Sequence, residues 1–261
     1  LSEMHLRGRQ FCCRPPMTCC APASRWCVWG GVAARCLSAA TASFVSGSLT
    51  VSPNPARWHA LCGALGVLKD EAARDRELAR VLSSWRSIGR HYHTAAHLAA
   101  CLVEFDRVRE LARRPAEVEW ALWYHDAIYR PWRRDNEVRS ATWAARVLAT
   151  DAATSAERVY EAIEATRHIA PGASSLNSVG DVSLVLDIDL AILGAPEPVY
   201  DVFEQQIRRE YWFVPRLKYL AARREILSRF LSRPRIYHFE YFRDRFEAQA
   251  RHNLQRIMIL R

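Results

Sequence analysis

The 261-residue sequence lacks any uncharged apolar run of about 20 residues, the length that a membrane-spanning helix requires. It also lacks internal repeats and sustained stretches of alternating β-branched residues, so neither a repeat architecture nor a sheet is indicated. Hydrophobic residues make up 50% of the chain and charged residues 25%, which is ordinary for a globular protein. The sequence therefore predicts a soluble helical protein with no membrane partner.

Cysteine is scarce in most of the chain. Six of the eight cysteines lie in the first 36 residues, and only Cys62 and Cys101 follow them. Two scattered cysteines do not make a disulfide framework and are typical of a reducing compartment, so we expect a cytoplasmic protein. The paired cysteines at 12–13 and 19–20 have no histidine or third pair at zinc-finger spacing, and we therefore expect no zinc finger there.

Acidic residues are nearly absent from residues 1–51, which contain five arginines and Glu3 alone, a local balance of +4. The segment shows no sustained periodicity, so we expect a disordered or loosely attached extension. Two other interpretations are an organellar transit peptide, or residues upstream of the true start, since the chain begins with Leu1 and contains Met17. We favour the last of these interpretations.

The formal net charge of the whole chain is +9, of which +5 belongs to the 210 residues after the N-terminal segment. A charge this diffuse does not favour nucleic acid as a partner, although a mildly basic surface suits phosphate-bearing ligands. Charge by itself therefore does not identify a partner.

The breaker cluster Ser52-Pro53-Asn54-Pro55 precedes long stretches of Ala, Leu, Arg and Glu with helical periodicity. We place the start of the folded region there, which predicts one all-α domain over residues 52–261. Prolines fall at the proposed joints, as expected for helix starts and stops. The run Val182–Leu186 is strand-like by propensity but has no obvious pairing partner. The predicted helices cover residues 56–68, 70–86, 92–113, 115–128, 135–150, 154–169, 181–193, 197–212, 215–232 and 238–258.

The most informative stretch is Ala121–Tyr129, in which His125 and Asp126 stand side by side at the end of an apolar helical run. An adjacent imidazole and carboxylate are costly to bury unless another group uses their lone pairs. A divalent metal ion is the commonest such group. The doublet therefore predicts a metal site and directs attention to further ligands.

Further candidate ligands lie on both sides of the doublet. Upstream, His93 and His97 are four residues apart, so we expect them to share one helix face. Downstream, Asp187 and Asp189 interrupt a strongly apolar run. Mixed nitrogen and oxygen ligands suit Mn²⁺, Zn²⁺, Fe²⁺ or Co²⁺ better than Ca²⁺, and Mg²⁺ is also retained as a candidate.

These candidates belong to a longer ordered set of motifs that covers about residues 53–258. The set consists of Tyr92-His93 with His97, Trp123–Tyr129, Asp135-Asn136-Glu137 followed by Ser140-Ala141, Thr166–His168, Asp187–Gly194, Ile207–Tyr211 and Arg251–Leu254. As an ordered set they resemble the HD superfamily of metal-dependent phosphohydrolases, and in particular a bacterial family of predicted members. The resemblance implies a single HD-type helical domain whose metal is held by His97, His125, Asp126 and Asp189.

The resemblance also implies chemical roles for His93, Glu137, His168 and Asp187. His93 is expected to touch the metal or a ligand, or else to be a hydrogen-bonded core residue. His168 is expected near the pocket, or at a helix C-terminus. Asp187 would orient a histidine ligand or pair with an arginine, and Glu137 would position the attacking water or begin a helix. Asn136-Glu137 stands where two-metal members often carry a further histidine, which argues against a second metal.

The function that the resemblance implies is hydrolysis of a phosphoester by a metal-activated water molecule. The expected substrate is a small phosphorylated metabolite, for example a nucleotide. One alternative is a di-iron oxygenase with the HD fold. Another is a non-catalytic helical binding protein that keeps the metal for stability. The sequence does not indicate which substrate, which metal or which oligomeric state applies.

Overall fold

The computed structural model describes residues 53–168 and 180–260, and every element of regular structure in these two ranges is helical. The predicted all-α class is therefore confirmed. The described residues belong to one compact unit. The segment predicted to be loosely attached, residues 1–51, lies outside the described residues.

The first described range contains α1 (Pro55–Leu65), α2 (Glu71–Trp85), α3 (Ala95–Val108), α4 (Pro115–Tyr124), α5 (Asn136–Ala149) and α6 (Ala153–Ala165). The second contains α7 (Asp181–Asp189), α8 (Glu197–Glu210), α9 (Arg216–Leu231), α10 (Glu240–Phe242) and α11 (Ala248–Leu260). Shorter helical turns cover Arg109–Leu111, Leu190–Gly194 and Arg243–Glu247. Within both ranges, none of these helices combines the length and apolar character that a membrane crossing requires.

The start of α3 differs from the prediction, which placed a helix from residue 92. Thr94 has extended backbone angles and its hydroxyl accepts a hydrogen bond from the backbone N–H of Ala96, so it is the N-cap. A residue before an N-cap is outside the helix. His93 therefore precedes α3, and the prediction that His93 and His97 share one helix face is wrong.

Other helices also end at residues that differ from the predicted bounds. The helix predicted over 115–128 ends at Tyr124, so the histidine-aspartate doublet follows it directly. The helix predicted over 154–169 ends at Ala165, and residue 169 lies outside the described residues. The strand-like run Val182–Leu186 is helical within α7, because an isolated apolar segment buried among helices has no strand with which to pair. A π-helical turn at Arg243–Glu247 interrupts the helix predicted over 238–258.

Helix α4 lies at the centre of the fold. Every residue from Val118 to Tyr124 is buried, and all except the ion-paired Glu119 are apolar or aromatic, as expected for a helix surrounded by other helices. Helices α1, α3, α5, α6 and α7 pack against it. Trp58 of α1 stacks on Trp120 with ring centroids 5.0 Å apart and meets Trp123 edge-on at 5.1 Å. The doublet is thus attached to the most enclosed helix of the described region.

The turn that follows α7, Leu190–Gly194, is held by contacts with α11 and with the helical turn Arg243–Glu247, which precedes α11. The side-chain amide of Asn253 donates to the carbonyl oxygens of Leu193 and Ala195, at 2.8 Å in each case. A Cβ atom on Gly194 would lie 2.5 Å from Cβ of Phe246, so this close approach requires glycine. These contacts hold the turn Leu190–Gly194, which directly follows Asp189 at the end of α7.

Candidate metal centre

The four predicted ligands come together in the structure from three different helices. His97 lies in the first turn of α3, and Asp189 is the last residue of α7. His125 and Asp126 follow the end of α4. All four belong to one cluster of side chains that the surrounding helices largely bury.

The nitrogen and oxygen atoms of these residues face one another. Nε2 of His97 lies 3.1 Å from Nε2 of His125 and 3.1 Å from Oδ1 of Asp189. Nε2 of His125 lies 3.6 Å from Oδ1 of Asp189 and 3.3 Å from Oδ2 of Asp126. Two ligands held at about 2.1 Å by one ion lie about 3.0 Å apart in an octahedral site and about 3.4 Å apart in a tetrahedral one. The donor set and its spacing therefore fit one divalent ion.

The orientation of His125 is suited to metal binding. Its Nδ1–H donates a hydrogen bond of 2.9 Å to the carbonyl oxygen of Leu122, which leaves the lone pair of Nε2 directed into the cluster. Its side chain is only 1% exposed. The ring of Trp85 packs against His125 and His97, with centroids 5.4 Å and 6.2 Å away. The backbone and an aromatic wall thus hold both imidazoles in place.

Cys101 is a neighbour of the cluster that the sequence did not predict. His97, Cys101, His125 and Asp189 form a buried group that could hold a metal ion, with one ligand atom of each within 4.8 Å of the others. The sulfur lies 3.7 Å from Nε2 and 3.8 Å from Nδ1 of His97, so it packs against the ring. Burial raises the pKa of the Cys101 thiol well above its usual range, which disfavours the thiolate that binds metals. The sequence did contain a signal for this proximity, because residues four apart on a helix, such as His97 and Cys101, lie on the same face.

Charges within the cluster depend on one another. Burial lowers the pKa of His125, but the carboxylates of Asp126 and Asp189 outweigh it and raise the pKa well above its ordinary value. Burial raises the pKa of Asp189, but its contacts with three histidines outweigh this and hold the pKa well below the ordinary value. Burial leaves the pKa of His97 lowered. The carboxylates thus favour a positive charge on the cluster, and a proton or a metal ion can supply it, so the two compete for these side chains.

His93 lies beside the cluster and is held by Glu210, a residue to which the sequence analysis gave no role. Its Nδ1–H donates to Oε2 of Glu210 at 2.7 Å, and its Nε2 lies 3.9 Å from Oδ2 of Asp126. The other oxygen of Glu210 accepts hydrogen bonds from the backbone N–H groups of residues 91–93, at 2.7 to 3.0 Å. An acid within the buried stripe of α8, after Phe203 and Ile207, was the sequence signal for such a role.

Arg90 joins the segment that carries His93 to the doublet. One guanidinium nitrogen donates to the carbonyl oxygens of His93 and Asp126, at 2.8 Å in each case. The other terminal nitrogen donates to the carbonyl oxygen of Ala127 at 2.9 Å. The side chain is buried between the rings of Trp85 and Tyr129, each with its centroid 5.5 Å from the guanidinium carbon. Arg90 therefore helps to set the distance between His93 and Asp126.

The structure also places His168 at the cluster. Its Nε2 lies 3.1 Å from Oδ2 of Asp189, so the two oxygens of this carboxylate face different histidines. The residue has a φ of 52°, and its carbonyl oxygen accepts a hydrogen bond from Arg233. Glu137 is half-buried, and burial raises its pKa together with the charge of Asp126. Both residues thus lie within electrostatic reach of the predicted ligands.

Asp187 does not join the cluster. Its carboxylate accepts hydrogen bonds from the backbone N–H groups of His238 and Phe239 and from Nδ1 of His238, at 2.8 to 2.9 Å. It therefore holds the two residues that directly precede α10. Two residues apart on a helix correspond to about 200°, so Asp187 and Asp189 point in nearly opposite directions. The predictions that Asp187 orients a histidine ligand or pairs with an arginine are therefore not met, because the histidine that it binds, His238, is not one of the predicted ligands.

Comparisons with protein-family models, with curated proteins and with solved structures found no match to this chain. What the structure shows is a helical unit with a buried histidine and carboxylate cluster that could hold a metal ion. The resemblance to the HD superfamily rests on the sequence motifs, and the activity that it implies stays a prediction.

Proposed function

We propose that this protein is an HD-type metal-dependent phosphohydrolase that acts on a small phosphorylated substrate. The supporting observation is the convergence of His97, His125, Asp126 and Asp189 from distant parts of the chain. Their donor atoms lie within 3.1 to 3.9 Å of His97 or His125. Structural packing alone does not require such a concentration of lone pairs.

In this proposal the four side chains hold one divalent ion. Two imidazole nitrogens and two carboxylate oxygens suit Mn²⁺, Zn²⁺, Fe²⁺ or Co²⁺, and two carboxylates also admit Mg²⁺. When bound, such an ion polarises a phosphoryl oxygen and lowers the pKa of water. Asp126 and Asp189 would offset its charge, and the hydrogen bond from Nδ1 of His125 to the carbonyl oxygen of Leu122 leaves Nε2 available as a ligand.

His93 is assigned as the group that accepts a proton from the attacking water. Its Nδ1–H is bound to Glu210, so the lone pair of Nε2 faces Asp126 and the site. Burial lowers the pKa of His93, but Asp126 and Glu210 outweigh it and raise the pKa above its ordinary value. Glu210 therefore stabilises the imidazolium that forms when the proton arrives.

Glu137 and His168 are assigned to the edge of the same site. His168 contacts the second oxygen of Asp189 and so orients the first oxygen towards His97 and His125. Glu137 has a raised pKa because it is buried and near Asp126. Its carboxyl group would hold or position water rather than bind the ion.

The test combines element analysis of the purified protein with phosphate release from a panel of nucleotides and sugar phosphates. The proposal expects about one divalent ion per chain and metal-dependent release of phosphate from at least one compound. Asp126→Asn should abolish both, whereas Asp244→Asn, a change at an exposed aspartate, should alter neither. Bound metal without turnover on a broad panel would instead support a non-catalytic binding protein.

One observation favours a second candidate, a di-iron oxygenase. Asp189 presents one oxygen to His97 and the other to His168, an arrangement in which a carboxylate could bridge two ions. Two irons per chain with consumption of O₂, and no release of phosphate, would support this candidate over the hydrolase. The proposed hydrolase is favoured because Asn136 stands where many two-metal members carry a histidine.

A further inference from the structure

An open groove with a volume of about 940 Å³ lies next to the metal centre without including any of its four predicted ligands. One wall is a stripe of α2 from Asp75 to Ser83 together with Arg86, which directly follows the helix. The opposite wall is formed by residues 129–132 and by Trp212 and Phe213, which follow α8. The groove is therefore a separate feature that the proposed reaction leaves unexplained.

The second wall carries aromatic side chains that are unusually exposed. Trp132 is 68% exposed, Trp212 76% and Phe213 41%. The ring of Phe213 lies between the two indoles, with centroids 6.3 Å from Trp132 and 6.2 Å from Trp212. Large apolar rings exposed together on a surface mark a binding site, because covering them removes apolar area from water.

The charged groups of the groove favour an anion. Arg86 and Arg130 are exposed, and within the described ranges neither forms an ion pair with an acid. Of the two acids that line the groove, Glu210 is buried and held by hydrogen bonds, and Asp75 is hydrogen-bonded to His59 at 2.7 Å. Two guanidinium groups that have no acidic partner among the described residues thus accompany the aromatic wall.

We propose that this groove binds a nucleoside phosphate at a site distinct from the metal centre. The planar base stacks on Trp132 or Trp212, and the phosphate is bound by Arg86 and Arg130. Arginine suits this role because its planar fork pairs with phosphate oxygens bidentately. The volume lies within the usual range of about 300–1,000 Å³ for small-molecule pockets. A base with a phosphate uses both features of the groove, the flat rings and the unpaired positive charge.

The site would be in contact with the residues that support the metal centre. Arg90, Tyr129 and Glu210 line the groove. Arg90 also donates to the carbonyl oxygen of Asp126, and Glu210 also binds His93. A ligand in the groove therefore lies one layer of side chains away from the predicted reaction site.

The test measures binding of the four ribonucleoside triphosphates to the full chain by calorimetry in EDTA, where no metal-dependent turnover occurs. At least one should bind about tenfold or more tightly than its nucleoside or inorganic triphosphate, because only the intact compound uses both features. Its addition should also change the tryptophan fluorescence. Since the metal is absent, the outcome does not depend on the proposed hydrolase activity.

Substitutions test whether the nucleotide binds in this groove. Trp132→Ala and Arg130→Ala should each weaken binding about tenfold, the size expected for one stacking or charge-assisted contact, whereas Trp132→Phe should largely preserve it. Arg146→Ala, at an exposed arginine of α5 outside the groove, is the matched control and should bind like the unaltered chain. The proposal is overturned if no triphosphate binds, if Trp132→Ala and Arg130→Ala bind normally, or if only a single-stranded oligonucleotide binds.

Discussion

Buried carboxylates are neutralised differently in the scaffold and in the metal centre. In the scaffold, Glu204 is fully buried and is paired with the guanidinium of Arg223. In the metal centre, the side chains within ion-pair distance of Asp126 and Asp189 are all histidines, as far as the described residues extend. Arginine keeps its charge at every physiological pH, whereas histidine does not.

The difference shows what each region is suited to do. A carboxylate paired with arginine stays neutralised, so the pair has no further need of a cation. Carboxylates surrounded by histidines are neutralised only when a proton or a metal ion is present, so their region can exchange one for the other. The following predictions test this contrast, from the largest expected effect to the smallest.

The largest effect is expected from Asp126→Asn and Asp189→Asn. Each should abolish tight metal binding and lower turnover by more than about 100-fold, the upper range for residues that merely support a metal ligand. Each should also remove the rise in melting temperature that metal produces, because binding to the folded state alone stabilises by mass action. Element analysis and thermal melts with and without metal provide the measurement.

The double variant sharpens this test. Because both carboxylates are proposed to hold the same ion, Asp126→Asn with Asp189→Asn should be hardly worse than either single change. The metal-free forms should all melt close to the metal-free unaltered protein. Fully additive losses, or a single variant that retains tight binding, would show that the two acids have separate roles.

Glu204→Ala should have the opposite effect to the ligand variants: it should lower the stability of the fold and leave metal binding unchanged. Removing one partner of a buried ion pair leaves Arg223 uncompensated, which costs about 3–5 kcal/mol of folding free energy. Denaturant titration should show this loss, while metal content per folded chain stays unchanged. If the folded variant also bound less metal, the contrast between a scaffold that stabilises the fold and a separate metal centre would be wrong.

Glu210→Gln should lower turnover by about 10- to 100-fold while the bound metal persists. The amide presents no carboxylate to Nδ1 of His93, so the imidazole loses both its orientation and the charge that raises its pKa. The rate should therefore be measured across pH, and its dependence on the basic form should shift to lower pH. A variant with an unchanged profile would remove His93 and Glu210 from the proposed proton transfer.

Glu210 should also affect stability in acid. Burial raises its pKa, but the hydrogen bond and charge of His93 outweigh this and lower the pKa to about 2 from the ordinary 4.5. Between these values the unfolded chain binds more protons, so Glu210 stabilises the fold above pH 4.5 and loses this contribution as pH falls towards 2. Melts of the metal-free protein should show a shallower acid dependence for Glu210→Gln, and equal slopes would contradict this prediction.

The smallest effect is expected from Cys101→Ala. Since burial raises the pKa of the thiol and the sulfur packs against the ring of His97, we expect its loss to change metal affinity and turnover by no more than about twofold. The loss of a small buried side chain should cost about 1 kcal/mol of stability. A large loss of metal in this variant would instead make the sulfur a ligand in place of Asp126.

Much of this arrangement could be predicted from the sequence, but not its supporting residues. His97, His125, Asp126 and Asp189 were predicted as ligands from the resemblance to the HD superfamily, and the structure places their side chains together. The apolar runs around the doublet and around Asp189 had already directed attention to these positions, because a polar group is costly to bury there. Asp187 stands in the same apolar run as Asp189. The sequence alone did not show that the side chain of Asp187 points away from the metal centre, because this depends on which helices pack on each side of α7.

The sequence by itself determined the helical class and the approximate extent of most helices, because helical periodicity, prolines and capping residues act over a few neighbouring positions. Only the tertiary structure decided which residues position the side chains of the metal centre. Glu210 meets His93 across 117 positions, and Arg90 joins the doublet across 36. Such contacts depend on how helices pack. The buried stripe of α8 marks Glu210 as an inward-facing acid, but no local pattern identifies the residue that it binds. For the same reason, exposed aromatic and basic residues from separate segments line one groove that the sequence did not reveal.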